Sequence, residues 1–230
     1  MGGLSGEAVA EFRRRIIEWY EEHGDRNLMW RSTRDPWAVL VAALLLRKTS
    51  TAQVKKTFPE FMRRFPSPES LLSAGMREVE EVLKPLGMQK VRAGLFLRLA
   101  SELMRKHRGE VPRSRDELEN LPGVGSYAAS EVLLRAYGKP EPLLDRNVIR
   151  VLERVFGVRS SKKRPHTDPE LWSLARGMLP EDPEEAEEFS YGVLDLARKV
   201  CRARRPKCSE CVLKDMCLHY NRLEARGPRS

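Results

Sequence analysis

Leu121-Pro122-Gly123-Val124-Gly125 is the stretch that decides the fold, because helical patterns lie on both sides of it. The spacing predicts a short helix from Glu117 and, after the turn, a second helix from Ser126. The apolar face of that second helix includes Ala129, Val132, Leu133 and Ala136. Two glycines flanking a valine permit a tight turn, and the free amides at the start of the next helix can receive a phosphate oxygen. A turn that only reverses the chain is the alternative.

Apolar residues recur at helical spacing along most of the chain, and no segment has the pattern of a strand. Phe12, Ile16, Trp19 and Tyr20 form one stripe, and Val39 to Leu46 has the composition of a buried helix. Prolines and turn residues break the pattern at Asp35-Pro36, Phe65-Pro66-Ser67-Pro68, Lys84-Pro85, Val111-Pro112 and Leu179-Pro180. The sequence therefore predicts an all-α protein with many short helices.

The stretch from Arg159 to Pro169 is the one candidate linker. It is polar and contains four cations, Arg159, Lys162, Lys163 and Arg164. Such a segment predicts a solvated loop, with a contact to nucleic acid as the alternative.

The composition favours a polyanionic partner. Lys and Arg number 42 against 33 Asp and Glu, which gives a formal net charge of +9, and phosphate contacts supply most nucleic-acid affinity. Charge alone leaves a membrane surface open, but no apolar run approaches the roughly 20 residues that span a bilayer. Residues Met1 to Ala10 lack the order of a signal peptide. We therefore expect an intracellular protein, in the cytoplasm or nucleoid, without a membrane partner.

The chain also has the composition of a heat-adapted protein. Charged residues make up 33% of it, and it contains two glutamines, Gln53 and Gln89. Charged residues are enriched and thermolabile amides depleted in proteins from hot environments.

All four cysteines, Cys201, Cys208, Cys211 and Cys217, lie within the last 30 residues. Four close thiols can hold a zinc ion, form two disulfides or ligate a cubane iron-sulfur cluster. Structural zinc sites usually present two short Cys-x2-Cys pairs separated by a longer loop. Here one such pair is flanked by arms of six and five residues. The spacing favours the cluster and leaves the other two arrangements open.

The six residues between the first two cysteines are strongly basic. They include Arg202, Arg204, Arg205 and Lys207. A loop fixed by ligation could hold these cations against phosphates with little loss of entropy. Alternatively, the cations only solubilise an anionic cluster.

The hairpin and a second motif together resemble a known family. Leu121–Gly125 is followed about 20 residues later by Leu144-Asp145-Arg146-Asn147-Val148-Ile149-Arg150, and this pair is similar to the helix-hairpin-helix DNA glycosylases of the endonuclease III superfamily. The Cys-x6-Cys-x2-Cys-x5-Cys spacing matches the [4Fe-4S] cluster motif of that family. Asp35 to Val39 and Leu46 to Thr49 resemble its N-terminal block. The likeness is greatest to the thymine/uracil mismatch glycosylases of the MutY-like branch.

The resemblance implies a two-lobed all-α fold with a C-terminal [4Fe-4S] cluster loop. Residues 29–138 would form a six-helix lobe with the hairpin, and residues 1–28 with 139–230 a helical lobe bearing the cluster at 201–217. A monomer acting on double-stranded DNA with a mismatched or damaged base is implied. The DNA contacts implied in the hairpin are Leu121, Gly123, Val124 and Gly125.

Asp145 is the candidate catalytic carboxylate. Its place between an apolar pair and an apolar-periodic run predicts a helix start, where an N-cap is the ordinary role. The family's catalytic aspartate stands at this place in its motif. Cleaving an N-glycosidic bond gives the sugar oxocarbenium character, which a neighbouring carboxylate stabilises.

Tyr127 lies two residues after the second hairpin glycine. Lyase-active relatives carry there a lysine that forms a Schiff base, which a phenol cannot form. Relatives that remove thymine or uracil opposite guanine resemble this sequence in carrying tyrosine, which shapes the base pocket. The resemblance thus implies base removal by water without strand cleavage. Simple packing of Tyr127 between helices is the alternative.

Further residues of the motifs concern the choice of base. Adenine-removing relatives carry a glutamate, the general acid for the purine, at the position of Ala43. Met88 stands at the family's wedge position, which fills the space left by a flipped base. Arg47 and Lys48 lie on the loop that faces the orphan base. Without the resemblance, Met88 reads equally well as a core residue and the two cations as solvated surface.

These observations lead to a first hypothesis of a monofunctional glycosylase that removes thymine or uracil mispaired with guanine. An adenine-specific mismatch glycosylase, acting on adenine opposite guanine or 8-oxoguanine, is the second. A non-catalytic protein that binds DNA structure is the third.

Overall fold

The computed structural model describes residues 5–225. Residues 1–4, which belong to the stretch considered for a signal peptide, and residues 226–230 lie outside the described part. The described residues are largely helical and contain no strand, which confirms the all-α prediction. They form twelve α-helices: α1 Gly6–His23, α2 Met29–Ser32, α3 Pro36–Leu45, α4 Thr51–Arg64, α5 Pro68–Leu83, α6 Gln89–His107, α7 Arg115–Glu119, α8 Ser126–Glu131, α9 Arg146–Phe156, α10 Pro169–Gly177, α11 Pro183–Lys199 and α12 Leu218–Glu224. None of these helices is both long and apolar enough to cross a bilayer.

The helix predicted from Ser126 is divided. Its first part is α8, and the chain continues as a π-helical turn over Val132–Ala136. Arg135 in this turn makes long-range hydrogen bonds: its Nε donates to the Thr33 carbonyl oxygen at 2.8 Å, and its carbonyl accepts Arg34 Nη1 at 2.9 Å. Such contacts accompany a local widening of the helix and cannot be predicted from apolar spacing.

The chain folds into two compact units. Of the described residues, one unit contains 5–25 and 140–225, and the other is Arg26–Lys139. The sequence analysis expected a six-helix lobe over residues 29–138, which stays a prediction. The unit Arg26–Lys139 contains α2 to α8, six of which are five residues or longer.

Side-chain caps start the helices of the unit Arg26–Lys139. Asp35 accepts the amides of Trp37 and Ala38 at the start of α3, and Pro36 occupies the first helical position. Ser50 starts α4 in a reciprocal capping box with Gln53. Helix α3 is buried on all sides, as its apolar sequence predicted.

Helices α1 and α11 pack closely in the other unit. Phe12 and Ile16 of the predicted stripe are fully buried. The close approach needs Gly192, because a Cβ there would lie 2.6 Å from Ile16 Cγ2.

The stretch from Arg159 to Pro169 is a loop inside this unit, so the linker reading is wrong. Its base is fixed by Asp168, which is buried and accepts a hydrogen bond from the Ser160 hydroxyl. The Trp172 indole nitrogen also donates to the His166 carbonyl oxygen at 2.9 Å.

Candidate active site and cluster loop

Asp145 is the N-cap residue of α9, and three hydrogen bonds hold its carboxylate. Oδ1 accepts the backbone amides of Asn147 at 2.7 Å and Val148 at 2.8 Å, and Oδ2 accepts Asn147 Nδ2 at 2.6 Å. The ordinary cap is therefore present. The cap does not exclude a catalytic role for the carboxylate, because each carboxylate oxygen has two lone pairs and Oδ2 uses one of them within this network.

Asn147 and Arg150 connect this carboxylate to the cysteine loop. Arg150 Nη1 donates to Asn147 Oδ1 at 3.1 Å, and Arg150 Nε donates to the Cys201 carbonyl oxygen at 2.9 Å. A chain of hydrogen bonds thus runs from Asp145 to the backbone of the first cysteine. The sequence analysis gave these two residues no role, although their three-residue spacing on a helix is one at which side chains meet.

The four cysteines line one pocket that is partly open to solvent. Residues Val151, Arg154 and Val155 of α9 contribute to its wall. All four thiols are free, so the two-disulfide arrangement is not present. The convergence of four thiols on one pocket fits a cluster ligated by four thiolates.

A multi-iron cluster separates its ligands further than a single ion does. Thiolates bound to one zinc ion at about 2.3 Å lie about 3.8 Å from one another. Within residues 5–225 no group of three or more His, Cys, Asp or Glu side chains is placed to hold a metal ion. Burial raises the pKa of Cys211 to about 11 and raises that of Cys208. Because thiolates are the ligands, binding of the cluster releases the thiol protons.

Arg154 braces the backbone of the cluster loop, which we define as residues 201–217. Its Nη1 donates to the Arg202 carbonyl oxygen at 2.7 Å and to Cys201 Sγ at 3.3 Å, and its Nη2 donates to the Ala203 carbonyl oxygen at 3.2 Å. Because one guanidinium holds consecutive carbonyl groups, the loop can keep its shape at the point where the cations begin.

The cations of the cluster loop differ in their surroundings. Arg202, Arg204 and Arg205 are exposed. Lys207 forms an ion pair with Glu210 at 2.8 Å. Three exposed arginines therefore lie on a braced backbone, and the Nε of Arg202 also donates to the Lys199 carbonyl oxygen at 3.1 Å. Lys207 would have to exchange Glu210 for a phosphate.

The hairpin lies in the unit Arg26–Lys139 and consists of exposed glycines and buried apolar residues. Gly123 has a φ of 78°, and a Cβ there would lie 2.5 Å from Leu95 Cδ1, so glycine is required. The amides of Gly123 and Gly125 have no acceptor among the described residues and are exposed. These two amides are therefore available to a phosphate oxygen.

Leu121 and Val124 differ from the two hairpin glycines in their burial. Their side chains are buried, and their amides already donate to the carbonyl oxygens of Leu118 and Leu121. A DNA contact by these two residues remains a prediction. They form the apolar floor that fixes the turn.

Tyr127 is the second residue of α8 and is half-buried. Ala43 lies inside α3 with 2% of its surface exposed, so this position offers a methyl group within the core and no acid.

Met88 is exposed, and the reading as a core residue is wrong. Its side chain is 60% exposed, and that of Val91, which the sequence analysis overlooked, is 63% exposed. Met88 has a φ of 53° and follows Gly87 with a φ of 74°. Left-handed backbone at a non-glycine residue is costly and concentrates at functional sites. We call Gly87–Met88 the wedge loop.

Arg47 and Lys48 are both exposed on the companion loop, which we define as residues 46–50. Lys48 has a φ of 55°. Arg47 Nη1 donates to the Gly123 carbonyl oxygen at 2.8 Å, so this side chain connects the loop to the hairpin. The sequence did not indicate that contact, which joins residues 76 positions apart.

Comparison with known proteins gives a family. Residues 41–176 match the HhH-GPD superfamily of base excision DNA repair proteins. The chain belongs to this superfamily. Residues 201–217, which begin and end at the first and last cysteine, match the iron-sulfur binding domain of endonuclease III.

Similar proteins cover almost the whole chain. The thymine-DNA glycosylase of Aeropyrum pernix is 56% identical over 93% of this chain and 96% of that protein. The thymine/uracil-DNA glycosylase of Pyrobaculum aerophilum is 57% identical over 95% of this chain and 96% of its own length. A solved structure of a thermostable thymine-DNA glycosylase superposes with a TM-score of 0.87 at 31% identity, covering 94% of this chain and 98% of that one.

The protein is therefore a DNA glycosylase, a hydrolase that acts on N-glycosyl bonds and binds DNA. It is an iron-sulfur protein, and Cys201, Cys208, Cys211 and Cys217 fit a [4Fe-4S] cluster. The cluster hypothesis is confirmed over zinc and disulfides. The hypothesis of a non-catalytic binder is wrong.

Proposed function

We propose that this glycosylase removes thymine or uracil mispaired with guanine from duplex DNA, acting as a monomer and leaving the strand intact. The observation that carries the proposal is the hydrogen-bonded carboxylate of Asp145 at the start of α9. The names of the two relatives above, one for thymine and one for thymine and uracil, support the choice of base.

Asp145 supplies the negative charge. As the bond between base and C1′ breaks, the sugar becomes oxocarbenium-like, and a carboxylate in fixed orientation stabilises that charge without reorganising. The second lone pair of Oδ2 can also accept a proton from a water that attacks C1′. Asp145 fills this role because three donors keep its carboxylate from turning away.

Tyr127 limits the reaction to hydrolysis. A lyase needs an amine that attacks C1′ and forms an imine, and a phenol has no nitrogen for that bond. Tyr127 instead lines the pocket of the flipped base. The product is an abasic site in an unbroken strand.

Ala43 argues against adenine. A purine leaves readily when a ring nitrogen is protonated, which requires an acid near the base. The methyl group of Ala43, buried in α3, cannot provide a proton.

Binding and base flipping involve several elements. The amides of Gly123 and Gly125 and the exposed cations Arg202, Arg204 and Arg205 bind backbone phosphates. Met88 enters the space that the flipped base leaves. Arg47 and Lys48 face the orphan guanine. Cys201, Cys208, Cys211 and Cys217 would hold a [4Fe-4S] cluster, which would tie the ends of the cluster loop together and so display its cations at a low entropic cost.

Four duplexes test the choice of base. They contain G·T, G·U, A·G, and adenine opposite 8-oxoguanine, and free base is measured by mass spectrometry. We expect thymine and uracil to be released opposite guanine at least about 100-fold faster than adenine from either adenine duplex. Faster release of adenine would contradict the proposal and favour an adenine-specific enzyme.

A further inference from the structure

Arg92, in the first turn of α6, contacts two separate loops. Its Nε donates to the Gly87 carbonyl oxygen of the wedge loop at 3.1 Å. Its Nη2 donates to the Arg47 carbonyl oxygen at 2.9 Å and to Thr49 Oγ1 at 2.6 Å, both in the companion loop. A longer contact from Nη1 reaches the Leu44 carbonyl oxygen at 3.5 Å. One guanidinium thus connects the backbones of both loops.

The surroundings of Arg92 are unusual for an arginine. No carboxylate forms an ion pair with it among the described residues. Burial, together with the neighbouring charge of Arg47, lowers the pKa of Arg92. A partly buried cation without an anion is costly unless its donors are satisfied, and here the satisfying acceptors belong to the two loops.

Both loops contain strained backbone. Met88 and Lys48 have φ values of 53° and 55°, in the left-handed region that non-glycine residues rarely adopt. Such strain persists where surrounding contacts hold it. Arg92 donates to the residue before each of these two: to the carbonyl of Gly87 before Met88, and to that of Arg47 before Lys48.

A second arginine extends the connection. Arg47 Nη1 donates to the Gly123 carbonyl oxygen of the hairpin at 2.8 Å. The wedge loop, the companion loop and the hairpin are therefore linked in series by the two guanidinium groups of Arg92 and Arg47.

We propose that Arg92 is a positioning residue that makes the wedge loop and the companion loop one rigid body, so that opening of the mispair and reception of the orphan base occur together. The proposal rests on the proposed roles of Met88, Arg47 and Lys48. Arg92 itself contacts neither the reacting base nor the sugar in this scheme.

The proposal predicts an effect that depends on how much base pairing must be broken. Arg92→Ala should lower the single-turnover rate at least about 10-fold for uracil opposite guanine, because loops that are no longer held in position contribute less to opening the mispair. For uracil opposite a tetrahydrofuran abasic analogue, where no pair is broken, the loss should stay within about 3-fold. Arg92→Lys should restore only part of the rate, since one ammonium cannot donate to both loops.

Two further variants keep the test valid if Arg92→Ala folds poorly. Thr49→Val removes one acceptor of Arg92 and should lower the rate for the mispair selectively, by a smaller factor. Arg105→Ala, on the same helix, removes an exposed guanidinium that pairs with Glu102 and should change neither rate. The fluorescence of 2-aminopurine placed beside the mispaired uracil rises when the enzyme opens the base pair, so it measures opening directly. Arg92→Ala should lose most of that rise in fluorescence.

The outcomes separate this inference from the proposed function. Equal losses on both substrates with an unchanged fluorescence enhancement mean that Arg92 only stabilises the fold, which overturns the inference. A selective loss in Met88→Ala without one in Arg92→Ala, Arg92→Lys or Thr49→Val overturns it too, while the wedge role stands. If Met88→Ala leaves the mispair rate unchanged, the wedge role in the proposed function fails.

Discussion

Asp145→Asn is expected to lower the rate of base release by at least about 10³-fold, equal to about 4 kcal/mol of transition-state stabilisation. The amide removes the negative charge that faces the developing oxocarbenium ion. Its oxygen can still accept the amides of Asn147 and Val148, because asparagine caps helices about as well as aspartate. The measurement is the single-turnover release of uracil from a G·U duplex.

A small loss of stability should accompany the substitution. In the wild type, Oδ2 accepts Asn147 Nδ2, and an amide nitrogen placed at that point would meet another donor. We expect about 1 kcal/mol of destabilisation, which is too little to unfold the protein. Asp182→Asn is the matched control, because Asp182 caps α11 through the same kind of contacts to Glu184 and Glu185. It should leave the rate unchanged.

The result bears directly on the two roles of Asp145. If Asp145→Asn releases uracil within about 10-fold of the wild-type rate, the carboxylate is a helix cap and no more, and the assigned chemistry is wrong.

Cys211→Ser is expected to cost the protein its iron, its cluster-loop structure and much of its stability. Burial of the thiol in the shared pocket and the match to an iron-sulfur domain make it a ligand, and ligand binding free energy contributes directly to folding. We expect the unfolding midpoint to fall by about 10 °C or more. Iron content and thermal unfolding are the measurements.

Activity should fall in the same variant for two reasons. The exposed arginines of the cluster loop would no longer be held in place, so the affinity for DNA should fall at least about 10-fold. The Cys201 carbonyl oxygen, which anchors Arg150 and through it Asn147, would also move. The carboxylate of Asp145 would then be held less firmly. The rate of base release from the enzyme-DNA complex should therefore fall as well.

Ser209→Ala is the control for this change. Ser209 is exposed and lies between Cys208 and Cys211 without being a ligand. It should retain iron, the unfolding midpoint and the rate. An iron-free Cys211→Ser protein that melts and binds DNA as the wild type does would refute the structural role of the cluster.

Local sequence patterns predicted the features that depend on local chemistry. Asp145 stands before an apolar-periodic run, and it is an N-cap in the structure. The glycine of the hairpin is required because Gly123 has positive φ and lies against Leu95. The cysteine spacing favoured the cluster and left zinc and disulfides open, and the resemblance to the family decided for the cluster.

Features that depend on distant partners were missed. Arg150 meets Cys201 across 51 positions, and Arg92 meets Arg47 across 45. Apolar periodicity describes which face of a helix is buried but not which carbonyl group a guanidinium will reach. The burial of Leu121 and Val124 was missed for a related reason, since a motif that binds DNA also needs residues that hold it in shape.

The measurement that tests the central claim most directly compares free base with strand breaks on one G·T duplex. Under single turnover, with the enzyme in excess, we expect one free thymine for each duplex converted, and strand breaks only after treatment with alkali. Tyr127 cannot form an imine, so borohydride should trap no covalent complex. Thymine that stays in the strand, or breaks that equal the released thymine before alkali is added, would contradict hydrolytic removal of a mispaired thymine by this protein.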